Sequence, residues 1–567
     1  MSKSLERDFY KRKVEHMKSS NSASWWQHMK VLLGMTTSST KPLKNLAQGV
    51  CEGDMDKLVC DINKFFKSVS QNIPPLSNSH PSLTELCVIP DEYLVNVTDM
   101  EKRLLTLKIN KSTGPDEIPA WVLRDFAHIF AGPLASIIND SLREGHFPTA
   151  WKMANTVPLP KVFPPVDIKS DLRPISITPV ASKAVEAFPV QVISDAIKDK
   201  LDPNQFGGVK NSSTALALLK IIDFIASAVD KPATSVRMLL CDFSKAFDLV
   251  DHTIVIDKLA SLGVHQSMIK WCASFLSSRT QCVKVGKNIS DPIEMHAGCP
   301  QGTLLGPLAF VVHINDLSPP NADLTIKYVD DTSILHASCD GTDNSMQNSA
   351  QYLQQWATEN NMVFNVKKTK EIVFHFGEDQ NYFPSAAIGE DIIEQVPQAK
   401  VLGVTIQSDL KWNSHITNMI KKVNKRLYLL RLCKRAGVRQ NELLCIYTSL
   451  IRSLLEYCAV VWHPALPSYL HNDIEQVQKR AIKLIYPSCD YDSALASAKL
   501  DTLFTRREEQ CRKLFNDVKL SSHKLHSSLP CVPDRTYNFR HQRIPHVMCR
   551  TSRYSKTFVP YCIRNFQ

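Results

Sequence analysis

Leu324-Thr325-Ile326-Lys327-Tyr328-Val329-Asp330-Asp331-Thr332-Ser333-Ile334-Leu335 is the stretch on which the reading of this chain turns. Leu324, Ile326 and Tyr328 alternate, and Ile334-Leu335 resume the apolar pattern beyond the acids. Residues 323–335 therefore predict a β-hairpin that turns at Asp330-Asp331. Two adjacent carboxylates at such a tip repel, and each raises the other's pKa unless a positive charge intervenes. A divalent cation such as Mg²⁺ supplies that charge and keeps sites open for water and phosphate oxygens. Taken alone, the pair reads more simply as a solvated turn. A second acid changes the weighing. Residues 235–242, Ser-Val-Arg-Met-Leu-Leu-Cys-Asp, predict a buried strand ending in Asp242, and a helix with Ile254, Ile256, Leu259 and Leu262 follows. Two cations about 3.5–4 Å apart and sharing such carboxylates can clamp both oxygens of an in-line phosphoryl transfer.

Further blocks stand in fixed order around these acids. They are Gly114-Pro115-Asp116 with Ile118-Pro119, Leu159-Pro160-Lys161, Leu172-Arg173-Pro174-Ile175-Ser176 and Pro203-Asn204-Gln205-Phe206-Gly207. Then come Asp242-Phe243-Ser244-Lys245-Ala246-Phe247-Asp248, Gly298-Cys299-Pro300-Gln301-Gly302-Thr303-Leu304-Leu305-Gly306-Pro307 and His313-Ile314-Asn315-Asp316-Leu317. Tyr328-Val329-Asp330-Asp331, Asn365-x-x-Lys368-Thr369 and Leu402-Gly403-Val404 complete the series. In this order and spacing they resemble the motifs of reverse transcriptases, and more closely those of non-LTR (LINE-type) retrotransposons. The resemblance is dense over residues 100–490.

The resemblance implies an α+β, right-hand polymerase fold of fingers, palm and thumb, with an antiparallel palm sheet and helical flanking regions. It divides the chain into a helical N-terminal linker region (1–99), fingers and palm (100–400), a helical basic thumb (401–487) and a basic C-terminal tail (488–567). It implies RNA-directed DNA polymerase activity on an RNA template with a DNA primer, an RNA–DNA hybrid as bound product, and dNTPs as substrates. Asp242, Asp330 and Asp331 would be the catalytic carboxylates holding two Mg²⁺ ions, or Mn²⁺, with the Phe243 carbonyl as a further ligand. Lys161 and Arg173 would hold the triphosphate, Arg by bidentate donation and Lys as a point charge. Lys368 would stand near the same phosphates. Phe247 would exclude a ribose 2′-hydroxyl, and Gln301 and Gly302 would line the nucleotide pocket, the glycine allowing close backbone approach. Outside this pattern Phe247 reads as a core aromatic, and Lys161 and Arg173 as surface cations.

Charge supports the division. The chain has 567 residues and a net charge of +11, but residues 401–567 hold 27 Lys and Arg against 12 Asp and Glu, while residues 1–400 hold 40 against 44. Residues 416–430 put Ile416, Ile420, Val423, Leu427 and Leu430 on one stripe of an amphipathic helix. Lys421, Lys422, Lys425 and Arg426 lie off that stripe, with Lys434 and Arg435 beyond. These six cations are the expected phosphate contacts, and binding through them weakens steeply with salt. Ordinary hydrophobic content of 44% excludes wholesale disorder. No run of 18 apolar residues and no secretory leader are seen, so no membrane span is expected, and localisation is expected to be nuclear or cytoplasmic. The 16 cysteines contain no C-x-x-C pair, which disfavours a zinc ribbon and fits reduced thiols.

Four features depart from the pattern. The region before residue 100 is too short for the endonuclease that usually precedes such polymerases, so a truncated product is expected. Asn211-Ser212-Ser213 lacks an expected basic residue, and Pro189 should break or kink its helix. Cys531, His541, His546 and Cys549 have a spacing that reads as scattered polar residues rather than a zinc module. Two competing functions follow: an inactive or domesticated nucleic-acid-binding relic, and a two-metal nuclease. The nuclease gives the 298–307 loop and the basic helix no role.

Overall fold

The computed structural model of the chain describes Trp25, Met29, and residues 40–84, 87–339, 343–377, 383–531 and 544–567. Two sheets organise it. The central one has the order β12-β9-β3-β8-β7, from β3 (Ser235–Cys241), β7 (Leu324–Tyr328), β8 (Asp331–Ser338), β9 (Lys370–Phe374) and β12 (Glu394–Gln395). All its pairings are antiparallel except β9 with β12. Strand β3 is buried on both faces because residues alternate across the pleat. Val236 and Met238 enter one apolar cluster with the helix Thr214–Ala228 and the C-terminal helices. Leu239 and Cys241 enter another, with the helices Val180–Ile197, His252–Ser261 and Leu305–His313.

The second sheet has the order β2-β1-β4-β5, with β6 also on β4. Its strands are β1 (Met153–Pro160), β2 (Leu172–Ile177), β4 (Arg279–Val285), β5 (Asn288–Ile289) and β6 (Ile293–Met295). The chain thus leaves the central sheet after β3 and returns to pair β4 parallel with β1. A simple cut between fingers and palm along the sequence misses this exchange.

Described residues on both flanks of 100–487 pack more closely than a linker and a tail would. The helix Met55–Ser68, N-capped by Asp54, lies on β4–β6. Buried Asn63 donates to the Gln281 carbonyl (3.3 Å), the Ser290 hydroxyl (2.9 Å) and the Asp291 carbonyl (2.9 Å), and accepts from Gln281 (3.0 Å). On the other flank, the helices Leu503–Val518 and Phe558–Phe566 bury Phe515, Phe558 and Ile563 in the cluster of the helix Thr214–Ala228. Asp230 at the end of that helix accepts from the Arg550 and Thr551 backbone N–H groups at 2.8 and 2.7 Å.

The hairpin β13–β14 (Gln398–Val401, Val404–Gln407) leads into the long helix Asn413–Arg435, which packs against the helix Ser468–Ile485. Its buried residues include Ile416, Val423, Leu427 and Leu430, the stripe read from the sequence, with Ile420 half-buried. Pro189 lies inside the continuous helix Val180–Ile197 and does not end it. Among the described residues, one helical stretch, Gln440–Ala465, is apolar and long enough to cross a membrane by length and composition, although it holds no unbroken run of 18 apolar residues. Its Leu443, Ile446, Tyr447, Ile451 and Leu455 are buried in the protein core, which accounts for the apolar composition. Trp25 packs against that same core, whereas Trp26 and His541 lie outside the described residues.

Candidate active site

Strand register brings the three acids together. Cys241 pairs with Thr332 across β3 and β8, so one step further Asp242 comes opposite Asp331. Tyr328 pairs with Asp331, leaving Val329-Asp330 as a two-residue turn. Such turns require positive φ at the first position and favour glycine there. Here the position is Val329, at φ 59°. A β-branched residue in that region is strained by about 1–3 kcal/mol and persists only where its surroundings impose it. The loop Pro203–Gly207 imposes it. Phe206 N donates to the Lys327 carbonyl (2.7 Å), and Lys327 N donates to the Asn204 carbonyl (3.0 Å). A Cβ on Gly207 would stand 2.4 Å from Val329 N. Buried Lys327 pairs with Asp202 (2.7 Å) and donates to the Ile314 and Asn315 carbonyls at 3.0 and 2.7 Å. Two sequence blocks without chemistry of their own therefore brace the acidic turn.

The acids bear the electrostatic marks of a shared site. Burial, then repulsion from Asp242, raises the pKa of Asp330. Burial, then repulsion from Asp330 and Asp242, pushes Asp331 up to about 6, although part of its side chain reaches solvent. Asp242 Oδ2 is buried without a hydrogen-bond partner. Lys368 Nζ lies 3.4 Å from that oxygen as an ionic contact, at an angle unsuited to a hydrogen bond. Lys368 is carried there by a turn in which Thr369 N donates to the Asn365 carbonyl (2.9 Å) and Asn365 N to the Asp242 carbonyl (2.8 Å). Phe243 forms an antiparallel bridge with Phe364. The bridge's hydrogen bonds run from Ser244 N to the Val363 carbonyl and from Asn365 N to the Asp242 carbonyl. In that geometry the Phe243 carbonyl points away from residues 363–365.

Among the described residues, no three His, Cys, Asp or Glu side chains form a closed metal-ligand group. A hard-oxygen donor set with a buried carboxylate oxygen that accepts no hydrogen bond, and with raised pKa values, nevertheless suits a divalent cation.

A cleft of about 580 Å³ opens beside the acids. Asp242, Asp330, Phe243, Phe247, Gln301, Lys161, Arg173 and Lys368 line it, whereas Asp331 is not among its lining residues. The β1–β2 hairpin, which pairs Leu159 with Arg173, places Lys161 and Arg173 side by side. Burial, with repulsion from Arg173 and Lys368, holds Lys161 below the usual lysine range. The ring of Phe247 stacks on Phe310 with centroids 4.7 Å apart. Gln301 Nε2 donates to Asp248 at 3.3 Å, and Ser176 N donates to the Gln301 carbonyl at 2.8 Å. Burial pushes Asp248 up to about 6.

Gly302 differs from expectation. At φ 126°, a Cβ there would stand 2.5 Å from the Ser176 carbonyl oxygen. The close approach that requires glycine is to β2, and Gly302 is not among the residues lining the cleft. The same loop is held from behind by fully buried Glu186, whose Oε1 accepts from Leu304 N (2.8 Å) and Leu305 N (2.6 Å). Burial pushes Glu186 up to about 7.

Lys421, Lys422, Lys425 and Arg435 are exposed on the helix Asn413–Arg435, while Arg426 and Lys434 are half-buried. Arg426 donates to the Leu450 carbonyl of a neighbouring helical segment, so it ties helices together and is less free for phosphate than expected. Tyr428 and Arg431 of the helix Asn413–Arg435 line a groove with Arg480 and Lys483 of the helix Ser468–Ile485, a groove the sequence does not reveal because the second helix comes from a distant segment. Sequence reasoning also missed Lys169, Lys245 and Phe65, which line the cleft.

Residues 160–406, which supply most of the cleft lining, match the family described as reverse transcriptase (RNA-dependent DNA polymerase). Among curated proteins, it is 27% identical over 413 residues to the probable RNA-directed DNA polymerase from transposon BS of Drosophila melanogaster, covering 70% of this chain and 45% of that protein. It is 26% identical over 498 residues to the RNA-directed DNA polymerase from mobile element jockey of the same organism, covering 82% and 52%. The chain thus spans about half the length of the curated relatives it matches. Among solved structures, a telomerase from Candida tropicalis with a fragment of telomeric RNA aligns at a TM-score of 0.36 and 14% identity, over 70% of this chain and 62% of that one.

Proposed function

We propose that the chain is an RNA-directed DNA polymerase of retrotransposon origin, extending a primer 3′-hydroxyl with dNTPs on an RNA template. The observation that carries this reading is the register of β3 against β8, which brings Asp242 towards Asp331, with Asp242 and Asp330 lining a cleft that also holds Lys161, Arg173 and Lys368. Asp242, Asp330 and Asp331, with the Phe243 carbonyl, would hold two divalent ions, Mg²⁺ or Mn²⁺. Those ions would supply charge neutralisation at the phosphate under attack. The protein's own side chains do the rest by positioning. Lys161 and Arg173 hold the polyphosphate. Lys368 stands beside Asp242, where it can hold a proton near the departing pyrophosphate. The Phe247 ring, fixed by Phe310, forms a flat floor that collides with a ribose 2′-hydroxyl. Gln301 is held by Asp248 and Ser176 at the nucleotide face. Lys421, Lys422, Lys425 and Arg435 grip the hybrid through its backbone and A-like shape.

Primer extension on poly(rA)/oligo(dT) with Mg²⁺ tests the proposal, wild type against Asp330→Asn. The expected result is extension by the wild type, none by the variant, and unchanged template binding in both. Binding without extension by the wild type would make the chain a relic. Degradation without synthesis would make it a nuclease.

A further inference from the structure

The cleft is lined by both acids and cations. Asp242 and Asp330 are among the acids. Lys161, Lys169, Arg173, Lys245 and Lys368 line the same cleft, with Asp248 among them. The sequence block around Asp242 contains Lys245, yet neither the carboxylate chemistry nor the sugar contact uses it. Its backbone sits in the left-handed region, at φ 51°, which turns it off the path that continues β3. Its ammonium lies 4.1 Å from the centre of the Phe65 ring. Phe65 belongs to the helix Met55–Ser68, which is fixed to the second sheet by the buried Asn63 network. That helix thus brings Phe65, Phe66 and Val69 into the wall of the cleft. Crowded ammonium groups at a cleft wall favour a bound polyanion, and a ring face steadies a cation that has lost part of its hydration.

We propose that Lys245, seated on Phe65, is a further contact for the polyphosphate of the incoming nucleotide, and that the N-terminal helix is part of the substrate site through its positioning residue Phe65. The inference rests on the polymerase reading and deepens it. An ammonium–phosphate hydrogen bond is worth roughly a tenfold change in affinity.

The test compares wild type, Lys245→Met, Lys245→Arg, Phe65→Ala and Lys245→Met/Phe65→Ala in primer extension, with inorganic tripolyphosphate as a competing probe that carries no base or sugar. Lys245→Met is expected to raise KM for dTTP and weaken tripolyphosphate inhibition by the same roughly tenfold factor, with kcat little changed. Lys245→Arg is expected to restore most of both. Phe65→Ala is expected to raise both in the wild-type background and to add nothing to Lys245→Met. Unchanged KM and inhibition in Lys245→Met, or additive losses in the double variant, would overturn the proposal while leaving wild-type extension, and so the polymerase reading, intact. Absence of extension by the wild type would fail that reading instead. In that case tripolyphosphate binding measured directly, unchanged by Lys245→Met, would overturn this inference as well.

Discussion

Substituting Glu186 by Gln isolates one buried charge behind the nucleotide-facing loop. Gln keeps an acceptor for Leu304 N and Leu305 N, which Glu186 now holds at 2.8 and 2.6 Å, and removes the titration. The folded pKa of Glu186 is about 7 against an ordinary 4.5, because burial outweighs those two hydrogen bonds and the attraction of Arg279. Burial likewise lowers Arg279, to about 10, so both groups agree that desolvation wins. A carboxyl whose folded pKa is raised contributes stability that is present in acid and lost as pH rises from the unfolded value through the folded one. Between pH 5 and pH 8 the loss is about 2–3 kcal/mol, at 1.36 kcal/mol per unit. Because the protein is large and unfolds in parts, the assay should be local. Hydrogen exchange of peptides covering residues 298–306 should show wild-type protection falling by roughly fiftyfold to a hundredfold over that range relative to Glu186→Gln. Asp248 and His252 also touch this loop, but they are present in both proteins and cancel from the comparison. Parallel pH profiles for the two proteins would refute the reasoning.

Other outcomes follow from the same geometry. Phe247→Ala should admit ribonucleotides, seen as rNTP incorporation on the same primer–template, because the ring stacked on Phe310 no longer floors the sugar. Gly302→Ala should abolish extension without unfolding the chain, since its Cβ would stand 2.5 Å from the Ser176 carbonyl and push the Gln301 loop off β2. Circular dichroism with primer extension checks both halves of that statement. Replacing Lys421, Lys422 and Lys425 together by Gln should lower the slope of log K against log salt for hybrid binding by roughly 2–3 units. Arg426→Gln, removing a side chain tied to the Leu450 carbonyl, should change that slope less than any of the three.

The acidic turn was legible because it is local. Alternation, an acid pair and a strand ending in an acid all lie within short windows. Their meeting needed only register, which the apolar faces of β3 and β8 enforce, because a one-residue slip would turn Leu239 and Met238 to the wrong cores. Lys161, Arg173 and Gln301 were legible as members of ordered blocks. Their reasons were less so. Gly302 proved to serve contact with β2, a partner over a hundred residues away, and no window of sequence shows that approach. Phe65 has no local signal at all, since it is one apolar residue on an amphipathic helix. Arg426 looked like its lysine neighbours, and only the packing of a distant helical segment withdraws it. The exchange of β4–β6 into the second sheet was hidden for the same reason: strand pairing is non-local and leaves no trace in spacing.

Paramagnetic Mn²⁺ titrated into wild type, Asp242→Asn and Asp330→Asn, followed by water-proton relaxation, bears most directly on the claim that these acids form one cation site. Tight binding by the wild type that is lost in both variants is the predicted result. Equal Mn²⁺ binding by all three proteins would contradict it.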